Sequence, residues 1–493
     1  MFGTMLSVTV LQSILALLGL LTVGAYITNP FNKLTIIRRP FTAKLINNVV
    51  HTIDNNSKLI ISQSILHRSF AVLKNGIHIF SSRWVRSPRS NSTTLEEIIN
   101  DIHALRFNPD KLLLTSGDHF SALFVRNLGV FYYPTLDRSI PNSTKQWHNR
   151  EITYLQTVAY ALGVFAKHDT LTTTIVPTGR YRATCVNFYA YPSDTLYGML
   201  YALAALSGIE SAKPVDYARS KHLLDTKEAA NLLIKTYGSS LTAHYLRYKE
   251  KVYDEKTRLI RKDFHMSGAK DITRRESSFY DNVVFWKTTQ LAMQLNLIPT
   301  DQLFLDSLKA KILTTFWLKK QGYFLEDLSG EGKTHNYYSS DWLIVLATGF
   351  LNPSDKKEMH YFIESVKYIQ DNDIAQPLPI KYQHDTRAHR QFLAVRLAVA
   401  SYGGDAIWSF WGMEYIKVLL ILHKTTGSVD YLQEADQHIA SYKATMLRDG
   451  GFPEVYSPDG KLLQTPLYRS VRQTGWVIGF EQALALRKTI KEK

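Results

Sequence analysis

The stretch "SSFYDNVVFWKTTQLAMQLNLIPTDQLFLDSLKAKILTTFWLK", Ser277–Lys319, decides how the chain is read. Apolar residues recur at three- and four-residue spacing over 281–296 and again over 303–319, which is the period of an amphipathic helix. Between the two runs stand Asn296, Pro299 and Asp301, residue types that close one helix and open the next. The unit is therefore a pair of helices. The same alternation runs outward on both sides, near 96–106, 118–132, 151–167, 193–208 and 225–247 before it, and near 340–350, 357–370, 388–401, 408–424, 428–446 and 474–488 after it. About a dozen helices of similar length suggest pairs laid side by side and closing on themselves. An α-solenoid would show a fixed sequence period of about 30–50 residues, and none is present. The expected fold is all-α, a closed helical toroid with its active site at one end, built from inter-helix loops.

Composition fits a packed interior. Of 493 residues, 45% are hydrophobic and 12% aromatic, with rings enough to face sugars or bases. Lys and Arg outnumber Asp and Glu by 58 to 43, a formal charge of +15, but the cations are scattered and no nucleic-acid motif accompanies them, so no nucleic-acid partner is expected. The single cysteine, Cys185, excludes an intramolecular disulfide and a Cys-rich zinc site. Core packing must hold the fold.

Residues 5–28, "MLSVTVLQSILALLGLLTVGAYIT", carry no charge and are long enough to cross a hydrocarbon core of about 30 Å as a helix. A cleaved signal peptide would have a basic n-region and a shorter apolar run. The expectation is an N-terminal transmembrane anchor over 1–28. Lys33, Arg38, Arg39 and Lys44 follow it, which favours a cytoplasmic side for the rest of the chain. Residues 29–90 read as a juxtamembrane region, in which "AVLKNGIHIF" alternates around Asn75-Gly76 as a short β-hairpin would. The catalytic domain is then 91–493, opening on a helix with Glu96 and Glu97 in its first turn.

No Walker loop, Rossmann glycine fingerprint, HExxH or GxSxG segment is present. His119, His148, His335, His384 and His389 are spaced as surface or hydrogen-bonding groups, so no metal and no cofactor is expected. What recurs is an aspartate opening a helix beside aromatic residues: Asp118 in "TSGDHFSALF", Asp194 in "YPSDTLYGML", Asp281 in "SSFYDNVVFW" and Asp341 in "YYSSDWLIVL". Any one of them reads first as a helix cap. Four together at one mouth of a toroid read as a sugar pocket, since carboxylates bind hydroxyls and rings stack on the C–H face of a pyranose. Glycoside hydrolysis needs one protonated and one ionised carboxyl group. Asp281, among Phe279, Tyr280, Phe285 and Trp286, is placed for burial to raise its pKa; Glu454 in "RDGGFPEVYSPDG" is placed in a stiff turn as an oriented base would be.

These landmarks, in this order, resemble the six-hairpin, or (α/α)6, glycoside hydrolases, especially the amylo-α-1,6-glucosidase type of glycogen-debranching enzymes and the neutral invertases. "SGDHFSALFVRNLGVFY" is similar to the family segment with a sugar-binding acidic residue, and "YDNVVFWKTTQLA" to the helix that supplies the general acid. "FWLKKQGYFLEDLSGEGKTHNYYSSDWLIVLATGFL" resembles the hairpin that follows. "GGDAIWSFWGMEYIKVLLIL" resembles the Tyr-His-Asn-Gly-x-Val-Trp-Pro-Trp segment, and "GGFPEVYSPDGKLLQTPLYRSVRQTGWVIGFEQAL" the terminal segment with a catalytic Glu. Together they cover 115–490. The resemblance implies Asp281 as general acid and Glu454 as general base, with inversion at the anomeric carbon, and places Asp118, Trp408, Gln473 and Trp476 about the sugar; Asp194, Trp286 and Asp341 are further substrate-binding candidates from the residues themselves, with Asp194 the reserve candidate for the acid. The chain departs from the pattern at Asn127, Gly403, Gly404 and Ser409, and by one extra residue between Gln473 and Trp476. The expected function is hydrolysis of an α-linked glucoside or related oligosaccharide. A non-catalytic carbohydrate-binding or scaffolding protein on the same toroid is the alternative.

Overall fold

The computed structural model describes residues 45–86, 89–107, 112, 122–129, 144–168, 170–179, 181–186, 193–209, 221–263, 270 and 273–490. Twelve segments of this chain make two concentric layers: α1 (Leu45–Ser57), α2 (Leu95–Arg106), α3 (Thr144–Phe165), α4 (Thr195–Ser207), α5 (Lys221–Val252), α6 (Phe279–Gln294), α7 (Gln302–Phe316), α8 (Ile344–Thr348), α9 (Met359–Asp371), α10 (Ser409–Thr426), α11 (Val429–Asp449) and α12 (Val477–Lys488). Their ends follow from local chemistry. Ser278 caps α6, Asp301 caps α7 by accepting from the Phe304 amide at 2.9 Å, and Gly427 and Gly450 close α10 and α11 at φ +79° and +60°.

Packing sorts the layers. α3, α4, α6, α8, α10 and α12 adjoin one another in sequence, and an Arg150–Glu481 ion pair at 3.4 Å joins α12 back to α3. The ring is closed. Around it α5 packs on α4, α7 on α6, α9 on α10, α11 on α10, and α2 on α11, while α1 lies against α3 and α5. Burial agrees: almost every described residue of α4, α6 and α10 is inaccessible, whereas outer helices such as α9 bury one stripe.

The sequence reading and the structure part at several places. Ala71–Phe80 is no hairpin. It belongs to a helix, Ile65–Phe80, because Ser64 caps its start and Ala71, Lys74 and Asn75 form one buried face, with Lys74 donating to the Pro177 carbonyl at 2.9 Å. Tertiary contact overrides the Asn-Gly turn signal. Residues 45–86 are likewise part of the toroid rather than a separate juxtamembrane piece: Asn56 of α1 donates to the Ala159 carbonyl of α3 at 2.8 Å and to the Tyr237 hydroxyl of α5 at 3.0 Å.

The window near 118–132 supplies no ring helix in its described part, which holds a two-residue strand, Leu123–Phe124, and a 3-10 turn, Val125–Leu128. α1 takes the outer place instead. The 388–401 window gives a short helix, Leu393–Val399, outside the two rings. A four-stranded sheet adds a β element to the all-α expectation, in the order Ile60–Ile61, Arg182–Val186, Thr174–Gly179, Leu123–Phe124. The apolar segment 5–28 lies outside the described residues. Among the described ones, no helix is long and apolar enough to cross a membrane.

Candidate active site

Several of the expected site residues stand at the starts of inner helices: Asp194, Asp281, Asp341, Trp408 and Trp476. Asp194 immediately precedes α4 but does not cap it; its carboxylate accepts from the Tyr280 hydroxyl at 3.1 Å. Asp281 is the third residue of α6. Ser278, not Asp281, is the cap, its hydroxyl accepting from the Asp281 amide at 3.0 Å. The Asp281 carboxylate in turn accepts from the hydroxyls of Ser278, at 2.5 Å, and Ser193. Ser193 precedes α4, so α4 and α6 are stitched together at Asp281.

Asp341 opens the 3-10 turn Ser340–Leu343 that leads into α8, and it accepts from Arg275 at 2.5 Å. The simple capping explanation thus fails for Asp194 and Asp341, whose side chains serve other partners. Asp118 lies outside the described residues.

Glu454 is held by its backbone. Its amide donates to the Val471 carbonyl at 3.0 Å, and its carbonyl accepts from Ser409. Gln473 donates to the Gly450 carbonyl at 3.0 Å and Thr474 to the Phe452 carbonyl at 2.7 Å. A Cβ on Gly451 would lie 2.5 Å from the Arg472 carbonyl oxygen, so the two strands of chain meet more closely than any side chain allows. The Gly-Gly-Phe-Pro turn is a clamp, as its sequence suggested. Gln473 works there on the Gly450 backbone.

Trp408 pairs with Val455 in a two-stranded ladder beside Glu454, and its ring lies 6.0 Å from that of Trp476, which precedes α12. Trp286 is different: it faces the outer layer, donating to the Leu305 carbonyl of α7 at 3.1 Å and meeting Phe350 edge-on. It packs inner helix to outer helix, which corrects its expected place about the sugar. An apolar body with one polar N–H suits either job, and only the helix's rotation decides.

Two residues absent from the sequence reading join the two carboxylate groups. Tyr382 donates its amide to Ala406 and its carbonyl receives the Ser340 amide, while its ring meets Trp408 edge-on at 5.6 Å. It links the Asp341 side of the site to the Trp408 side. Arg83, from the segment after the Ile65–Phe80 helix, lies 3.9 Å from the Glu454 carboxylate and 4.3 Å over the Tyr468 ring. No motif flags either one. Residues 81–86 carry an Arg-rich "SSRWVR", but nothing in that string points to a glutamate some 370 positions away.

Electrostatics separates the carboxylates. Burial pushes the Asp281 carboxyl up, against the pull of Arg275 and its two serine donors. For Glu326, one turn of chain before the short helix Gly330–His335, burial also pushes up, but Lys270, Arg387 and Arg390 outweigh it and hold the carboxyl well below the usual range. Burial and neighbouring Arg387 bring Lys270 down to about 8 despite its contact with Glu326. Among the described residues, no group of His, Cys, Asp and Glu is gathered for a metal ion. His384 bonds the Tyr368 hydroxyl and His389 the Glu331 carboxylate, and His335 lies against Tyr337. His119 and the side chain of His148 lie outside the described residues.

No protein-family model matches the sequence, and no curated protein matches it. Among solved structures, the chain is similar to a rhamnosidase from Klebsiella oxytoca with rhamnose bound, at 13% identity and a TM-score of 0.49 over 82% of this chain and 66% of that one, just under two thirds of its length. It is similar to a glycosidase at 11% identity and a TM-score of 0.47, over 80% of this chain and 97% of that one. A third likeness is to cellobiose 2-epimerase from Spirochaeta thermophila DSM 6192, at 14% identity and a TM-score of 0.44, covering 80% and 96%. At these identities the likeness is one of backbone alone.

Proposed function

We propose that the protein is a carbohydrate-active enzyme, a glycoside hydrolase that cleaves an α-linked glucoside or related oligosaccharide with inversion. The observation that carries this reading is the gathering of Asp194, Asp281 and Asp341 at successive inner-helix starts, joined through Tyr382 to Trp408, Trp476 and clamped Glu454. Burial pushes the Asp281 carboxyl up, so in this reading it is the group that would donate to the departing glycosidic oxygen. Glu454, close to Arg83, would take the proton from the attacking water. Trp408 and Trp476 offer ring faces to the sugar. The amylo-α-1,6-glucosidase likeness stays within this proposal.

The test is a panel of α-linked glycosides with the product anomer followed by NMR. Asp281→Asn and Glu454→Gln should each slow turnover by about 10²–10⁴-fold. Full activity in both would overturn the assignment. One observation favours the non-catalytic alternative: both Asp281 oxygens already accept from serine hydroxyls inside the protein. Sugar binding without turnover, unchanged by Glu454→Gln, is what that alternative requires. The membrane anchor over 1–28 also remains a proposal, tested by whether the full chain, unlike one lacking 1–28, sediments with membranes after carbonate washing.

A further inference from the structure

Arg275 stands three residues before the α6 cap, and its side chain is fully buried. Its Nη1 donates to Asp341. Its Nε and Nη2 have no hydrogen-bond partner among the described residues, and among the buried side chains of those residues it is the one arginine with that pair of donors both unmet. A buried donor without an acceptor is costly, and native proteins rarely leave two on one group.

The rest of the molecule shows what that face of a guanidinium takes. Arg487 presents Nε and Nη2 to the two oxygens of Asp436 at 2.6 and 2.9 Å. Arg448 does the same to Asp449 at 3.1 and 2.7 Å, and Arg261 to Asp263 at 3.0 and 2.5 Å. The two N–H bonds run parallel and match the spacing of a carboxylate. In Arg275 the same fork is present, anchored through Nη1 by Asp341 and without an acceptor among the described residues, and its charge acts on the proposed acid Asp281.

We propose that Arg275 recognises a carboxylate on the substrate, so that the sugar cleaved is a hexuronate rather than a neutral hexose. This rests on the carbohydrate reading above and narrows its substrate class. The planar fork prefers a carboxylate, while a phosphate or sulfate ester shares the anionic chemistry and is the source to be distinguished from it.

Titration calorimetry on the full chain at fixed ionic strength would compare D-glucuronate with D-glucuronamide, D-glucose and D-glucose 6-phosphate. Glucuronate should bind on the order of tenfold or more tighter than the amide or glucose, because two charge-assisted bonds depend on the carboxylate. Arg275→Lys keeps the charge and loses the fork, and should bring that preference below about threefold while glucose still binds. Equal binding of glucuronate and glucuronamide overturns the proposal and leaves the carbohydrate reading standing. Tighter binding of the phosphate than of glucuronate overturns it as a carboxylate site. If none of the four sugars binds, the carbohydrate reading falls and this inference with it. Should Arg275→Lys fail to fold, the acid against amide comparison in the unaltered protein decides alone.

Discussion

Asp281 and Glu326 are two carboxylates in one protein, 0% and 2% exposed, and the same burial acts on both. Their outcomes are opposite. Glu326 touches three cations, Lys270 at 2.6 Å, Arg387 at 2.8 Å and Arg390 at 3.2 Å, and stays an anion. Asp281 touches two serine hydroxyls and feels Arg275 only from beyond, so its carboxyl moves up toward holding a proton. Burial sets the cost of charge, and the neighbours decide whether it is met. The first carboxylate is held as an anion by its three cations; the second is shifted the other way by burial.

The sharpest way to break this contrast is to neutralise each in turn. Asp281→Asn should lower glycoside turnover by about 10²–10⁴-fold, measured by single-turnover kinetics, with a stability change of only about 1 kcal/mol. A variant that keeps its rate would remove Asp281 from the chemistry. Glu326→Gln should instead cost about 3–5 kcal/mol in urea unfolding, because it removes the one carboxylate paired with buried Lys270 among the described residues and a shared partner of Arg387 and Arg390. Arg390 keeps Asp327 and Arg387 keeps Asp385, so a loss below about 1 kcal/mol would mean that Lys270 also finds another partner.

The pH dependence should also diverge. Glu326 has a folded pKa below its ordinary 4.5, so its stabilisation is present above that value and fades as pH falls through and below it. The gap between wild type and Glu326→Gln in urea midpoint should therefore shrink from pH 7 to pH 4. Asp281 has a folded pKa above its ordinary 3.8, so its contribution is most favourable below that value and declines as pH rises through the folded one. Asp281→Asn should remove that decline; an unchanged pH curve would contradict it.

Ser278→Ala probes the same site more gently. It removes both the α6 cap and one donor to the Asp281 carboxylate, so about 1 kcal/mol of stability is lost and the alkaline limb of the rate profile moves upward. An unmoved limb would show that the serine only caps. Asn56→Ala, at the junction of α1 with α3 and α5, should cost a similar or smaller amount and leave the rate profile where it is.

Some of the candidate site's local geometry was legible in the sequence and some was not, for reasons that differ by residue. Asp281 stood out because a charged residue in an aromatic run is costly unless it is used, and Glu454 because Gly-Gly-Phe-Pro can only be a tight turn. Trp286 misled because its place in the sequence is as aromatic as that of Trp408, and the direction of an indole around a helix is set by what packs on either side. Arg83, Arg275 and Tyr382 carried no local pattern at all. Asn75-Gly76 gave a genuine turn signal that lost to a buried helix face.

The sequence by itself determined most of the ring helices, since period and punctuation are local properties: the spacing in Ser277–Lys319 already contains α6, α7 and the turn between them. It also determined which carboxylates stand at helix starts. Tertiary structure alone decided that α1 completes the outer layer, that Arg83 reaches Glu454, and that the carboxyls of Glu326 and Asp281 shift in opposite directions. Those depend on groups brought together from positions far apart in the chain, and Coulomb energy and desolvation follow distance in space rather than distance in sequence.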